Sequence, residues 1–325
     1  MSQAQYPMKL TPVLKDYLWG GTKLRDSYGK KTEQAIVAES WELSCHPDGP
    51  SRIANGAYAG RTLQDYVAEH PEAIGEAGKA FEGFPLLIKL IDAKESLSVQ
   101  VHPDDAYARE HEGERGKTEM WYVIEAEPGA KLIYGFRTEL TKEEFRAHIE
   151  GDTLLDVVHE VPVKKGDVFF IEAGTLHSIG GGILLAEVQQ SSNSTYRVYD
   201  FGRVGADGKP RELHIEKALD VTRRERPKHG TKPLARIPIA DMELVLLVSC
   251  NSFAVYHASV REKAVFRVDA ESFQSLTLMD GRLTLETHTG GERLELRKGD
   301  TVFLPANMGT YSLTGSGEVL LGMLP

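Results

Sequence analysis

Short runs in which apolar and polar residues alternate, or in which β-branched and aromatic residues cluster, recur along the chain. They are Ala38 to Ser44, Leu86 to Ile91, Ser98 to His102, Met120 to Glu125, Lys131 to Gly135, Asp167 to Ile171 and Leu184 to Gln189. A period of two, interrupted by turn residues, predicts strands, and their spacing predicts a β-sandwich or barrel. Helical spacing is confined to fewer stretches: Thr62 to His70, Asp104 to Glu112, Thr141 to Gly151, Leu154 to Val158 and His214 to Val221. Thr141 followed by Glu144 predicts a capping box, in which a hydroxyl and a carboxylate each satisfy a backbone N–H of the first turn.

At 325 residues the chain exceeds the usual size of one core, so two domains are expected. A basic, proline- and glycine-containing segment, 222–234, follows the last helical stretch and precedes new β-rich sequence, which predicts a linker there. A weak internal repeat supports the division, because Lys165-Gly166-Asp167-Val168-Phe169-Phe170-Ile171-Glu172-Ala173 returns as Lys298-Gly299-Asp300-Thr301-Val302-Phe303-Leu304-Pro305-Ala306. Both copies read as a turn feeding a buried strand. The expected organisation is a first domain over 1–221 and a second, smaller β domain over 235–325.

Composition narrows the class. Hydrophobic residues make up 41% and charged residues 26%, which excludes disordered and fibrous chains. A formal net charge of −10 opposes nucleic acid and anionic lipid as partners, while leaving room for a small anion at a local Lys/Arg cluster. No apolar run reaches the length of a signal peptide or a membrane span, so a cytoplasmic location is expected. Cys45 and Cys250 are far apart and lack CxxC spacing, so both are expected to be buried small apolar residues rather than parts of a disulfide or thiolate site.

Three stretches carry chemistry. In Ser98-Val99-Gln100-Val101-His102-Pro103-Asp104, strand geometry projects Gln100 and His102 to one face while Val99 and Val101 face the core, so two ligands can reach one metal. Gly116-Lys117-Thr118-Glu119-Met120-Trp121 places a carboxylate at a strand start, two residues after a lysine. Gly174-Thr175-Leu176-His177 follows the buried strand of the first repeat copy. Two imidazoles, a carboxylate and an amide oxygen make a site suited to zinc, with a position left for water or substrate oxygens. Gly180-Gly181-Gly182 leads into strand-like rather than helical sequence, so a hairpin turn is expected there and not a phosphate loop.

The stretch from Gly166 to His177 resembles the second cupin motif, with Glu172 in place of its proline. The two upstream stretches resemble the first cupin motif as it is modified in type I mannose-6-phosphate isomerases, with Gln-x-His-Pro-Asp in place of His-x-His. The likeness extends through Tyr17-Leu18-Trp19-Gly20-Gly21, Glu39-Ser40-Trp41-Glu42-Leu43-Ser44, Glu187-Val188-Gln189-Gln190 and Thr195-Tyr196-Arg197-Val198-Tyr199-Asp200. Chain length matches the short bacterial branch of that family. The resemblance implies a cupin-type jelly-roll barrel followed by a second cupin-like domain. It also implies one Zn2+ per chain on Gln100, His102, Glu119 and His177, with Arg197 as the active-site arginine. Lys117 matches a family lysine ahead of the ligand glutamate, and Lys89, Ser98 and Arg203 align with positions at the substrate phosphate. Where longer members have Asn-His-Lys-Pro-Glu and Ser-Asp-Asn, this chain has Arg115-Gly116-Lys117-Thr118-Glu119 and Ser191-Ser192-Asn193.

The implied reaction converts an aldose phosphate to a ketose phosphate through an enediol. A metal and a nearby permanent cation suit the negative charge that develops on the oxygens, and Arg197 fits the second role. Lys117 and Glu187 are the candidates for acid/base work, and sequence does not separate them. The expected partner is a small sugar phosphate. Alternative readings are an iron-dependent cupin oxygenase, which Gln100 as a fourth ligand opposes, and a non-catalytic sugar-phosphate-binding cupin, which has no need of Arg197 or Lys117. In the second domain, aligning Gly166 with Gly299 sets His177 opposite Thr310 and Gly174 opposite Asn307, so that domain is expected to hold no metal.

Overall fold

The computed structural model describes residues 5–205, 208–227, 233–239 and 242–325. Three antiparallel sheets account for most of the structure. One sheet orders its strands Val168–Ile171, Glu119–Ala126, Ile183–Gln190, Leu86–Ala93, Glu39–Ser44 and Val13–Lys15. A second orders Tyr196–Tyr199, Val99–Val101, His177–Ile179, Lys131–Phe136 and Val158–Pro162. The third contains ten strands, mostly from residues 235–323, and takes in Met8–Thr11 and Arg52–Ile53 from the start of the chain.

The six- and five-stranded sheets face one another and close a barrel. Between them lies an apolar layer of Ile91, Trp121, Val123, Leu132, Tyr134, Phe169, Ile179 and Leu185. Helices Lys142–Glu150 and Ile215–Val221 cover the other face of the five-stranded sheet through Phe145, Ile149, Ala218 and Leu219. The outer face of the six-stranded sheet, with Ile88, Leu90, Met120, Tyr122, Ala186 and Val188, packs on Phe253, Val255, Phe273 and Phe303 of the third sheet. Covered on both faces, Leu86–Ala93 and Ile183–Gln190 are buried at every position, which is why they read as continuous rather than alternating apolar runs.

The expected strands are all present, as is the Thr141/Glu144 capping box; Thr62 and Asp65 form a second box at helix Leu63–Glu69. Two expectations are corrected. Leu154–Asp156 is a single 3-10 turn and Val158 already belongs to strand Val158–Pro162, because Val158 pairs across to Phe136. Gly180 to Gly182 does not close a hairpin: strand His177–Ile179 lies in the five-stranded sheet and Ile183–Gln190 in the six-stranded one, so the glycines carry the chain between sheets. A Cβ on Gly180 would stand 2.0 Å from the Lys131 carbonyl oxygen, so the crossing requires glycine there. The two repeat copies do share a turn, with Gly166 at φ 87° and Gly299 at φ 89°, each ahead of a buried strand. Part of the expected linker, 228–232, lies outside the described residues. Both cysteines are free, Cys45 buried and Cys250 half-buried. No helix among the described residues is long and apolar enough to cross a membrane.

One buried polar tie joins the six-stranded sheet to the third. The Lys30 ammonium is 2.5 Å from Glu42 Oε1 and donates to the Gly299 carbonyl at 2.5 Å. Glu42 also accepts from Ser40 Oγ at 2.6 Å and from Thr301 Oγ1 at 2.9 Å. Removing one partner of such a pair strands the other away from water. Lys30→Met is therefore expected to cost about 3–5 kcal/mol, read as a lower urea midpoint; a loss below about 1 kcal/mol, the range of an exposed ion pair, would show that the tie is not needed.

Candidate active site and metal centre

The barrel interior collects the side chains that the strand periodicity aims inward. On the six-stranded sheet, Trp41, Lys89, Glu187 and Trp121 stand directly opposite one another on four adjacent strands. One row further along, Gln189 stands opposite Glu119. From the facing sheet, Gln100 is register partner to both His177 and Arg197.

His102, Glu119 and His177 place one ligand atom each within 4.8 Å of one another, and all three are buried. Glu119 Oε1 is 3.4 Å from His177 Nε2, and Oε2 is 3.5 Å from His102 Nε2. Gln100 Nε2 is 3.5 Å from His177 Nε2. The two imidazoles are oriented in the same way. His102 Nδ1 donates to the Ser194 carbonyl and His177 Nδ1 to the Thr175 carbonyl, both at 2.8 Å. A carbonyl can only accept, so the proton sits on Nδ1 and the Nε2 lone pair points at Glu119. Burial pushes both imidazoles down, His177 to about 4, with the Lys117 charge adding to burial at His102; both are neutral, the form that ligates.

Neither Glu119 oxygen receives a hydrogen bond of good geometry. The Lys117 ammonium stands 2.7 Å from Oε2, off the hydrogen-bonding direction, and 3.0 Å from His102 Nε2. A buried carboxylate with free lone pairs, two imidazole nitrogens aimed at it and an amide beside it have the donor chemistry of a divalent-metal site. The four residues fit such an ion.

Lys89 and Glu187 lie deep in the barrel. Lys89 Nζ is 3.2 Å from Glu187 Oε1 and 3.8 Å from Glu39 Oε2, so Lys89 is not a solvated surface charge. Each carboxylate is also held by an indole: Trp121 Nε1 donates to Glu187 Oε2 at 2.8 Å and Trp41 Nε1 to Glu39 Oε2 at 2.7 Å. Burial alone would raise the Glu187 carboxyl, but Lys117, Lys89 and the indole outweigh it and hold it below the usual carboxylate range. Ser98 is buried, with its hydroxyl donating to Gln100 Oε1 at 3.3 Å.

Arg197 lies on the half-buried face of strand Tyr196–Tyr199, opposite the buried Tyr196 and Val198. Its Nη1 donates to the Glu212 carbonyl at 2.8 Å, and its buried Nε has no partner among the described residues. No carboxylate among the described residues pairs with it. The expected alternative partner, Asp200, is occupied by Arg203 (Nη2 to Oδ1, 2.6 Å) and Arg211 (Nε to Oδ2, 2.7 Å). Arg203 also donates to the Ser96 carbonyl at 2.6 Å. Arg203 and Arg211 line a cleft of about 220 Å³ together with Tyr17 and Trp19. Arg203 and Arg211 share Asp200, and Asp16 lines the cleft as well, so its two guanidinium groups face two carboxylates.

Sequence reasoning missed Arg211 and the second counterion Glu39. Glu39 sits inside a stretch that resembles the family, but nothing local says that it faces Lys89. Arg211 is on a loop without periodicity, so no sequence signal could have placed it.

Residues 8–126 match the model of the phosphomannose isomerase type I catalytic domain, and residues 243–323 match that of the mannose-6-phosphate isomerase cupin domain. The chain is 40% identical to mannose-6-phosphate isomerase of Streptococcus mutans over 97% of each chain. It is 39% identical to a probable mannose-6-phosphate isomerase of Bacillus subtilis, over 97% of this chain and 98% of that one. The crystal structure of mannose 6-phosphate isomerase from Bacillus subtilis superposes with a TM-score of 0.92 at 37% identity, covering 98% of this chain and 99% of that one. With both family domains matched in order and two-fifths of its residues shared along nearly its full length, the chain belongs to the type I phosphomannose isomerase family.

Proposed function

We propose that this chain interconverts mannose 6-phosphate and fructose 6-phosphate in the cytoplasm, moving a proton between C1 and C2 of the open-chain sugar through an enediol(ate). The observation that carries this reading is the juxtaposition of the ligand cluster with Arg197, a half-buried cation that lacks a carboxylate among the described residues and is register partner to Gln100.

Gln100, His102, Glu119 and His177 are the residues that would hold the metal, and zinc suits two imidazoles with oxygen donors. When bound, the ion supplies Lewis-acid polarisation of the sugar's carbonyl and hydroxyl oxygens. Glu187 is ionised and therefore enters as the proton acceptor for the carbon-bound hydrogen; Lys89 and Trp121 fix its position. Lys117, an ammonium among the ligand atoms, is assigned the proton that moves between the two oxygens. Arg197 holds the negative charge that develops on those oxygens. The phosphate, two negative charges at neutral pH, is assigned to Arg203 and Arg211, which line the cleft beside Tyr17 and Trp19. Lys89 and Ser98 do not line that cleft and contribute through Glu187 and Gln100.

Purified protein is expected to form fructose 6-phosphate from mannose 6-phosphate in a coupled assay, with one zinc per chain. Removing the metal with a chelator should abolish turnover while the circular dichroism of the barrel persists. Bound iron with oxygen uptake would favour the oxygenase, and sugar-phosphate binding without conversion would favour a binding protein.

One metal per chain is expected because His102, Glu119 and His177 are the one such cluster among the described residues. A second tightly held ion retained in Glu119→Ala, whose own site is destroyed, would overturn that.

Arg197→Ala is expected to lower turnover by a factor on the order of 100 or more, as for loss of one charge-stabilising donor. Metal content and melting temperature should stay near those of the parent, since no ion pair is lost. Retained turnover, or loss of metal, would assign the residue to another role.

A further inference from the structure

The two imidazoles of the ligand cluster are oriented by carbonyls of very different origin. His177 uses Thr175, two residues back on its own turn. His102 uses Ser194, which is 92 positions away in sequence. Ser194 lies in the connection 191–195, where the chain leaves strand Ile183–Gln190 and crosses to strand Tyr196–Tyr199 in the other sheet. A connection of this kind has no ladder to hold it, so its carbonyl is only as fixed as its side-chain contacts make it.

Asn193 Nδ2 donates to Asp48 Oδ2 at 2.8 Å, and the remaining contacts converge from two residues. Gln189, fully buried, donates from Nε2 to the Gln190 and Ser192 carbonyls, both at 2.7 Å. Glu114, just beyond helix Asp105–His111, places one carboxylate oxygen against three consecutive residues. Its Oε2 accepts from Ser192 Oγ at 3.2 Å, Asn193 N at 3.3 Å and Ser194 Oγ at 2.9 Å. Three donors on one oxygen are far more than a solvated surface glutamate collects. Ser194 N closes the arrangement by donating to Ser192 Oγ at 3.2 Å.

We propose that Glu114 and Gln189 are positioning residues for His102: they fasten the connection 191–195, whose Ser194 carbonyl sets the His102 tautomer and ring plane, and thereby set the affinity of the metal site. The proposal rests on His102 being a metal ligand. Carbonyls and carboxylates behind ligating histidines typically govern affinity by 10- to 100-fold.

The test is a zinc titration of the metal-free full-length protein in competition with a chromophoric chelator, with the melting temperature of the metal-free form measured in parallel. Glu114 is the deciding position, because its side chain is 37% exposed and the buried His46, 3.6 Å from its Oε1, keeps Asp48 at 3.6 Å when Glu114 is replaced. Glu114→Ala is expected to weaken zinc binding about 10-fold with little change in the metal-free melting temperature. Glu114→Gln, which keeps an acceptor oxygen for the two serines, should recover most of the affinity. Gln189→Met should weaken binding as well, with a lower melting temperature because two buried carbonyls lose their donor. Unchanged zinc affinity in Glu114→Ala, with or without a loss of stability, would overturn the proposal. If the parent protein itself binds no zinc, the ligand assignment fails and the proposal with it.

Discussion

Everything in the site depends on keeping Glu119, Glu187, Glu39, Lys89 and Lys117 out of water at the same time. An isolated carboxylate enclosed between two apolar sheets is prohibitively costly, and only close pairing makes it tolerable. The pairing is achieved by register. Lys89 faces Glu187, and Glu187 faces Trp121, because those residues are directly opposite on neighbouring strands. A slip of one residue would turn Ile88, Met120 and Val188 into the barrel and push the charges into the apolar layer beneath. The charge pairing and the register of the six-stranded sheet therefore hold each other in place. Two ammonium groups against three carboxylates leave these five side chains with one negative charge in excess, which a divalent cation would outweigh. A divalent cation held there would add to the positive charge that a dianionic sugar phosphate meets.

Much of this was legible in the sequence because a strand's period of two reports which face a side chain takes. Gln100 and His102 on one face, Glu119 at a strand start, and Arg197 opposite Tyr196 and Val198 all follow from local alternation. Periodicity does not report which partner lies across the barrel. Lys89 reads equally well as a surface charge until its neighbour proves to be Glu187, almost a hundred residues later. Arg211 and Glu114 lie on connections, where no period exists, and each matters only through a carboxylate or a backbone group far away. The three glycines at 180–182 illustrate the same limit: their composition marks a close backbone approach, but not whether the chain turns back within one sheet or crosses to another.

The two sheets divide the labour. The six-stranded sheet supplies Glu119, Lys89 and Glu187, the groups whose charges must be matched. The five-stranded sheet supplies Gln100, His177 and Arg197. Gln100 and Arg197 are neighbours in register, so the guanidinium is held at a fixed distance from the ligand cluster by backbone hydrogen bonds rather than by a flexible loop. Asp200, three residues on, then gathers Arg203 and Arg211. Positive charge consequently extends from Arg197 along one short stretch towards the cleft, which suits a ligand with its reacting carbons at one end and its phosphate at the other.

The third sheet offers no side chain to this chemistry, yet the site depends on it. Without Phe253, Phe273 and Phe303 against Ile88, Met120 and Val188, the six-stranded sheet would have one largely apolar face in water. The entry of Met8–Thr11 into the third sheet and the buried pair Lys30–Glu42 with Thr301 join the start of the chain to its end. The sheet that bears the site's charges is thereby clamped from behind by one whose facing residues are mainly apolar. A rigid apolar backing limits how far Lys89, Glu187 and Glu119 can move apart, and that limit keeps their pairing favourable.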